Sequence, residues 1–246
     1  MSTMEVVGHG GAGDFYPGNS RRSVEKALEL GVDRIEVDVQ VAAGDQLVLI
    51  HDDVVQFGGK KTRVMRLSVE QLRDSLEGLL TLDEVIDLTR GRCTLMVDMK
   101  SHGYEHLVAE TLVRAGIADQ TIVSSTYALS LRRLRKIAPG VSIGLSTGHI
   151  STVMRRNALI SVTSGVLAMI TPLPIIAAAK FIRADHLMLN YRICSARFVR
   201  VAHKCGLSVY AWTVNQPGPI RSLIERGVDG LISNRPDLVI EQLRDE

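Results

Sequence analysis

Two stretches place ionisable side chains where an apolar run should continue. In "RIEVDVQV" (34–41) Glu36 and Asp38 interrupt Ile and Val, and in "TLMVDMK" (94–100) Asp98 and Lys100 do the same. Side chains alternate faces along a strand. Ile35, Val37, Val39 and Val41 therefore share one face, while Glu36, Asp38 and Gln40 share the other. In the second run Met96, Asp98 and Lys100 fall together. Carboxylates two residues apart repel unless a cation lies between them. Three of them on converging strands make an oxygen-rich site of the kind that hard divalent ions, Mg²⁺ or Ca²⁺, select. His9 ends one apolar run and His51 ends another. Two histidines beside three acids and a lysine suit a reaction at a metal-bound phosphate, in which one group takes a proton and another gives one. Alone, such alternation also describes a half-exposed antiparallel strand, and a lone histidine is more often structural than catalytic.

The elements that must position these groups repeat along the chain. Short apolar runs at 5–8, 34–41, 94–100, 121–125, 141–145, 186–191, 207–214 and 230–233 alternate with segments of helical periodicity. Helices are expected over 20–30, 82–89, 104–115, 129–137, 195–204 and 220–226. Such βα alternation predicts parallel strands. Eight of them close into a single (β/α)8 barrel, the alternative being an open doubly wound sheet. In a barrel the valine face of 34–41 meets a helix and the acids point inward, near the end where catalytic groups collect. An extra strand at 47–52 and a polar insertion at about 52–80 follow the second strand. No linker divides 1–246, so one domain is expected.

Composition limits the partners. Lys and Arg number 29 against 27 Asp and Glu, a net of +2, so charge gives no reason to expect nucleic acid. Cys93, Cys194 and Cys205 are scattered and odd in number, which fits a reduced, cytoplasmic protein better than a disulfide framework. Residues 1–8 lack the basic and long apolar regions of a secretory signal. The stretch 158–179 has no charged residue and the length of a bilayer-spanning helix, about 20 residues. Gly165 and the Pro172-Leu173-Pro174 break argue against a spanning helix. A buried helix, or an apolar lip around 162–174 that touches a membrane and receives a lysolipid chain, are the alternatives.

The pattern "VVGHGGAGDFYPGNS…ALELGVDRIEVDVQVAAGDQLVLIHDD" resembles the glycerophosphodiester phosphodiesterase family. That family's signature is a strand ending in His-Arg-Gly, a Pro-Glu-Asn-Thr loop, a Glu-x-Asp strand and a later His-Asp. "VDMK" stands where the family has Glu-x-Lys, "AWTVN" matches its Trp-Thr-Val-Asn strand, and "GVDGLISNRPDLV" matches its last strand and helix. The resemblance implies a (β/α)8 barrel with one divalent cation that hydrolyses glycerophosphodiesters to glycerol 3-phosphate and an alcohol. It implies His9 and His51 as the acid–base pair and Glu36, Asp38 and Asp98 as the metal ligands. Lys100 is expected to bind the phosphate and Trp212 to line the pocket, with Ser125, Asn190 and Asn215 as weaker candidates. Gly10 and Gly18 replace the signature Arg and Glu, and Asp98 replaces a longer acid. Losing that arginine puts the phosphate charge on Lys100 and the cation. Lysophospholipids as substrates, or a barrel that binds without catalysis, are the competing expectations.

Overall fold

The computed structural model describes residues 4–147 and 172–244. Eight strands, β1 (Glu5–His9), β2 (Arg34–Ala42), β6 (Thr94–Met99), β7 (Ile122–Ser125), β8 (Ser142–Ser146), β9 (His186–Asn190), β10 (Ser208–Trp212) and β11 (Gly230–Ser233), pair in parallel in that order. Because β1 pairs with both β2 and β11, the sheet closes on itself. The result is the expected (β/α)8 barrel, and the open sheet is excluded. Each strand lies within two residues of its expected bounds. Helices α1 (Arg21–Leu30), α3 (Leu82–Thr89), α4 (Glu105–Arg114), α5 (Ala128–Ile137), α6 (Leu173–Ile182), α7 (Ala196–Lys204), α8 (Pro217–Glu225) and α9 (Pro236–Arg244) accompany the strands.

Two residues of the apolar break open α6, since proline is tolerated where the first helical N–H groups lack partners anyway. Most of the lip expected around 162–174 lies outside the described residues. No described helix is long and apolar enough to cross a membrane.

After β3 (Gln46–Leu49), which runs antiparallel to β2, the insertion forms a hairpin of β4 (Val54–Phe57) and β5 (Lys60–Arg63), then α2 (Val69–Ser75). A separate small core under it joins Val48, Ile50, Val64, Leu67 and Leu72. The segment read from sequence as simply polar is therefore built structure.

Strand alternation sorts the barrel residues as expected. Ile35, Val37, Val39, Leu95, Val97 and Met99 face the helices in the main core. Val7, Met96, Ile122, Met188, Tyr210 and Ile232 fill the barrel interior. Gly230 makes room there, because a Cβ at that position would lie 2.5 Å from the Tyr210 ring. Below this plug, Arg34 pairs with Glu5 through Nε at 3.1 Å, and the Tyr210 hydroxyl donates to the same carboxylate at 2.9 Å. Burial acts to raise the Glu5 pKa, but Arg34 and Tyr210 outweigh it and hold the group below the ordinary carboxylate value.

The base of the barrel is closed by one device used three times. Asp33, Asp185 and Asp229 each stand immediately before a strand. Each donates its backbone N–H to the preceding barrel strand, at Val6, Ile143 and Val209. Each side chain then accepts the N–H of that same residue, at 2.8, 2.8 and 2.7 Å. Their carbonyls accept from the next strand along, at Thr94, Ser208 and Glu5. One aspartate thus ties three strands and satisfies an N–H that the ladder leaves over. Replacing Asp33 by Ala leaves the Val6 N–H unpaired and should lower stability by about 1–3 kcal/mol, read as a reduced urea midpoint with an unchanged slope.

Candidate active site

Parallel register assembles the ionisable groups. His9 lies beside Glu36 across β1 and β2, Asp38 beside Asp98 across β2 and β6, and Asp98 beside Ser124 across β6 and β7. His9, Asp98 and Ser124 sit at the C-terminal ends of their strands, while Glu36 and Asp38 lie earlier in β2, whose second half runs on to pair with β3. One oxygen from each of Glu36, Asp38 and Asp98 lies within 4.8 Å of the others. Glu36 and Asp38 are buried.

Each carboxylate is held by donors. Gly10 donates its N–H to Glu36 at 3.1 Å. Asn19 grips Asp38 twice, giving Nδ2–H to its carboxylate at 2.7 Å and accepting its backbone N–H at 2.9 Å. Ser124 donates its hydroxyl to Asp98 at 2.7 Å. The Lys100 ammonium bridges Asp38 and Asp98, at 2.6 Å from each. Burial drives the Glu36 pKa well above the ordinary value, and the charges of Asp38 and Asp98 add to this against the opposing pull of Lys100. Asp38 ends below its ordinary value because Lys100, His9 and Asn19 overcome the cost of burial. The Lys100 pKa is raised, since its carboxylate neighbours outweigh its own burial.

The loop after β1 is shaped to deliver these donors. The Gly10 carbonyl accepts from the Asn19 N–H and the Ser23 hydroxyl, which folds residues 10–19 against α1. Gly10 has φ +55°, and a Cβ there would lie 3.0 Å from the Asn19 nitrogen. The position of the family arginine is thus one where this backbone disfavours any side chain. Asn19 itself has φ +65°, a conformation Asn tolerates better than most residues, and its side chain is fixed on Asp38.

The two histidines are placed differently. His9 Nδ1 lies 2.6 Å from Asn234 Oδ1, and its Nε2 lies 4.0 Å from Glu36. Asn234 follows β11, and its backbone N–H is held in turn by Asn215 Oδ1 at 2.9 Å. His51 is 61% exposed at its side chain and pairs with Asp52 at 2.8 Å. No hydrogen bond or ion pair joins the two histidines among the described residues. His51 instead lines a cavity of about 670 Å³ together with Gln40, Lys100, Tyr127 and the hairpin residues Val55 and Lys61. Lys100 is the residue common to this cavity and the carboxylate cluster.

Trp212, at the end of β10, is half-buried and packs against the interior plug. Of the weaker candidates, Ser125 bonds the Met99 carbonyl, Asn190 caps a short turn, and Asn215 braces Asn234. Asn19, Ser124 and Asn234 are site residues that sequence reasoning passed over. Asn19 lies inside the quoted loop motif and Asn234 inside "LISNRPD", so the motifs pointed to their neighbourhood but not to their roles.

The cluster fits a divalent cation. Three carboxylates and one ammonium leave two negative charges in a buried place, which one divalent ion would balance. Mg²⁺ or Ca²⁺ binding oxygens at about 2.0–2.6 Å requires ligand oxygens no more than about 4–5 Å apart, and these satisfy that limit.

The model of the Glycerophosphoryl diester phosphodiesterase family matches residues 9–238. A curated glycerophosphodiester phosphodiesterase of Caldanaerobacter subterraneus is 26% identical over 262 residues, covering 99% of both chains. The solved glycerophosphodiester phosphodiesterase of Thermotoga maritima superposes with a TM-score of 0.76 at 20% identity, covering 98% of this chain and 99% of its own. An Oleispira antarctica phosphodiesterase solved with the product sn-glycerol-3-phosphate superposes with a TM-score of 0.77 at 17% identity, covering 98% and 96%. With a match that spans nearly its whole length and a barrel of the same architecture, this chain belongs to the glycerophosphoryl diester phosphodiesterase family.

Proposed function

We propose that this protein hydrolyses glycerophosphodiesters to glycerol 3-phosphate and an alcohol, with one Mg²⁺ or Ca²⁺ held by Glu36, Asp38 and Asp98. The observation that carries the reading is the cluster of three carboxylates within 4.8 Å, with His9 against it and Lys100 leading from it into the cavity. The relatives named for this activity support it. A bound cation supplies charge neutralisation at the phosphate and for the negative charge that grows there during displacement.

The chain supplies the rest. Lys100 adds a second positive charge for the phosphate, in the absence of an arginine at position 10. With Nδ1–H donated to Asn234, His9 keeps its Nε2 lone pair on the Glu36 side of the ring. His51, turned by Asp52, serves from the cavity side. One histidine takes the proton of a water, or of the glycerol 2-hydroxyl, as it attacks phosphorus, and the other protonates the departing alkoxide; where the hydroxyl attacks, water opens the resulting cyclic diester in a second displacement with the two roles exchanged. The hairpin residues and Trp212 shape the space for the alcohol. Release of glycerol 3-phosphate from a panel of water-soluble diesters and lysophospholipids, with chelator and with added Mg²⁺, Ca²⁺ or Mn²⁺, tests this directly. Tight binding with no turnover under any metal would identify a binding barrel instead.

Three outcomes are expected. His9→Ala and His51→Ala should each lower turnover by roughly 10²–10⁴ with the fold retained. A p-nitrophenyl leaving group should rescue whichever variant lacks the acid far more than the other, and near-normal turnover in either variant would reject that histidine.

Asn234→Leu should reduce kcat on the order of 10- to 100-fold by releasing the His9 ring, whereas Asn234→Asp, which keeps an acceptor, should retain more activity. Equal loss in both would remove the orienting role.

Lys100→Met leaves Asp38 and Asp98 without their ammonium. In chelator its stability should fall by about 3–5 kcal/mol, and added Mg²⁺ or Ca²⁺ should restore more of it than in the parent protein, as read by urea unfolding. No difference between metal and chelator would reject the cation site.

A further inference from the structure

Between Asp119 and Asp185 the chain has no acidic residue. Residues 120–184, 65 in all, contain Arg132, Arg133, Arg135, Lys136, Arg155, Arg156, Lys180 and Arg183, eight basic residues. With the whole chain at +2, everything outside this segment sums to −6. The near-neutral total therefore hides a strongly basic region beside an acidic remainder.

The two described helices of this region, α5 and α6, pack on one another and leave apolar residues in water. Leu129 is 62% exposed, Ile137 50%, Leu173 65% and Phe181 64%. These are half of the eight exposed large hydrophobic residues among the described residues. On α6, Leu173, Ala177 and Phe181 fall four residues apart and all are exposed, while Ile176, Ala179 and Ile182 turn to the core. Arg132 lays its guanidinium 4.8 Å from the centre of the Phe181 ring, joining the two helices across this surface. Lys136 is exposed beside it, whereas Arg133, also exposed, lies 3.7 Å from Glu105 of α4 and Arg135 is engaged by Asp185. The surface is thus apolar at its centre and basic at its edges, with no acid on either helix.

We propose that the outer face of α5 and α6 docks on an anionic lipid bilayer. Exposed Leu, Ile and Phe can enter the boundary between headgroups and acyl chains, while Arg and Lys reach anionic headgroups. A nucleic acid would use the cations but not the aliphatic side chains. A second copy of the chain would bury the aliphatic side chains, but two-fold pairing would set Arg132, Arg133 and Lys136 against their own equivalents. The docking face shares only its first turn, at Leu173, with the 162–174 lip expected from sequence, and it stands whatever reaction the barrel performs. The acid-rich remainder of the chain would orient the molecule with this face toward the membrane.

The test is flotation of the full chain with phosphatidylcholine vesicles, with and without phosphatidylglycerol. Binding is expected only with phosphatidylglycerol, and it should weaken as ionic strength rises. The double variants Leu173→Ser with Phe181→Ser, and Arg132→Glu with Lys136→Glu, should each lower vesicle affinity by roughly tenfold or more. Their melting temperatures and their turnover of a water-soluble diester should match those of the parent, which separates failure of docking from failure of folding or of the proposed activity. Equal binding to neutral vesicles, or no change in either double variant, would overturn the proposal. A concentration-dependent dimer that the same variants dissolve would overturn it in favour of self-association, and an oligonucleotide that binds equally well to the Leu173→Ser, Phe181→Ser protein would overturn it in favour of a polyanion site.

Discussion

Three buried carboxylates that repel one another set the terms for the whole upper end of this barrel. Coulomb repulsion at this separation and burial would protonate or unfold the site if nothing opposed it. Everything around the cluster opposes it. Lys100 supplies a full charge, while the Gly10 amide, the Asn19 amide and the Ser124 hydroxyl supply partial ones. The positive φ of Gly10 and Asn19 follows from the same demand, because the loop must bring two donors within reach of two carboxylates on β2. A site already arranged around negative charge needs little reorganisation to receive a cation or an anionic ester bound through one, and such preorganisation is a general source of catalytic power.

The barrel interior confines this demand to one end of the molecule. An apolar layer of Val7, Met96, Ile122, Met188 and Ile232 insulates the carboxylates from a second polar layer of Glu5, Arg34 and Tyr210. The lower layer is neutralised by its own Arg34–Glu5 pair, and the surplus negative charge stays above the plug.

How much of this was legible in the sequence depends on whether a feature is local. The alternation in "RIEVDVQV" revealed which side chains face inward, and the βα rhythm revealed the barrel, because both are short-range periodicities. The partners of those side chains were not legible. His9 meets Asn234 across 225 positions, and Asp98 meets Ser124 rather than Ser125 because of a strand register that no single strand encodes. The hairpin at 54–63 was hidden for another reason. Its polar residues look like a loop, and only the small core beneath it, with Val64 and Leu72, makes it a wall of the cavity. Conversely, the helix after Pro172 was read as an interruption when the prolines in fact begin it.

The aspartates at the base suggest how such a molecule can change. Asp33, Asp185 and Asp229 occupy equivalent places in separate βα units and make the same three connections. Each acts as a standard joint between neighbouring units, fixing strand spacing at one rim without reference to what lies on the other. Where joints are standard, the pieces between them become exchangeable. Loops on the opposite rim can lengthen, acquire a hairpin as after β3, or lose a signature arginine as at Gly10, while the strands beneath keep their register. Variation in chemistry is then confined to the rim where it can be useful, and inheritance of the fold rests on the rim where it is not.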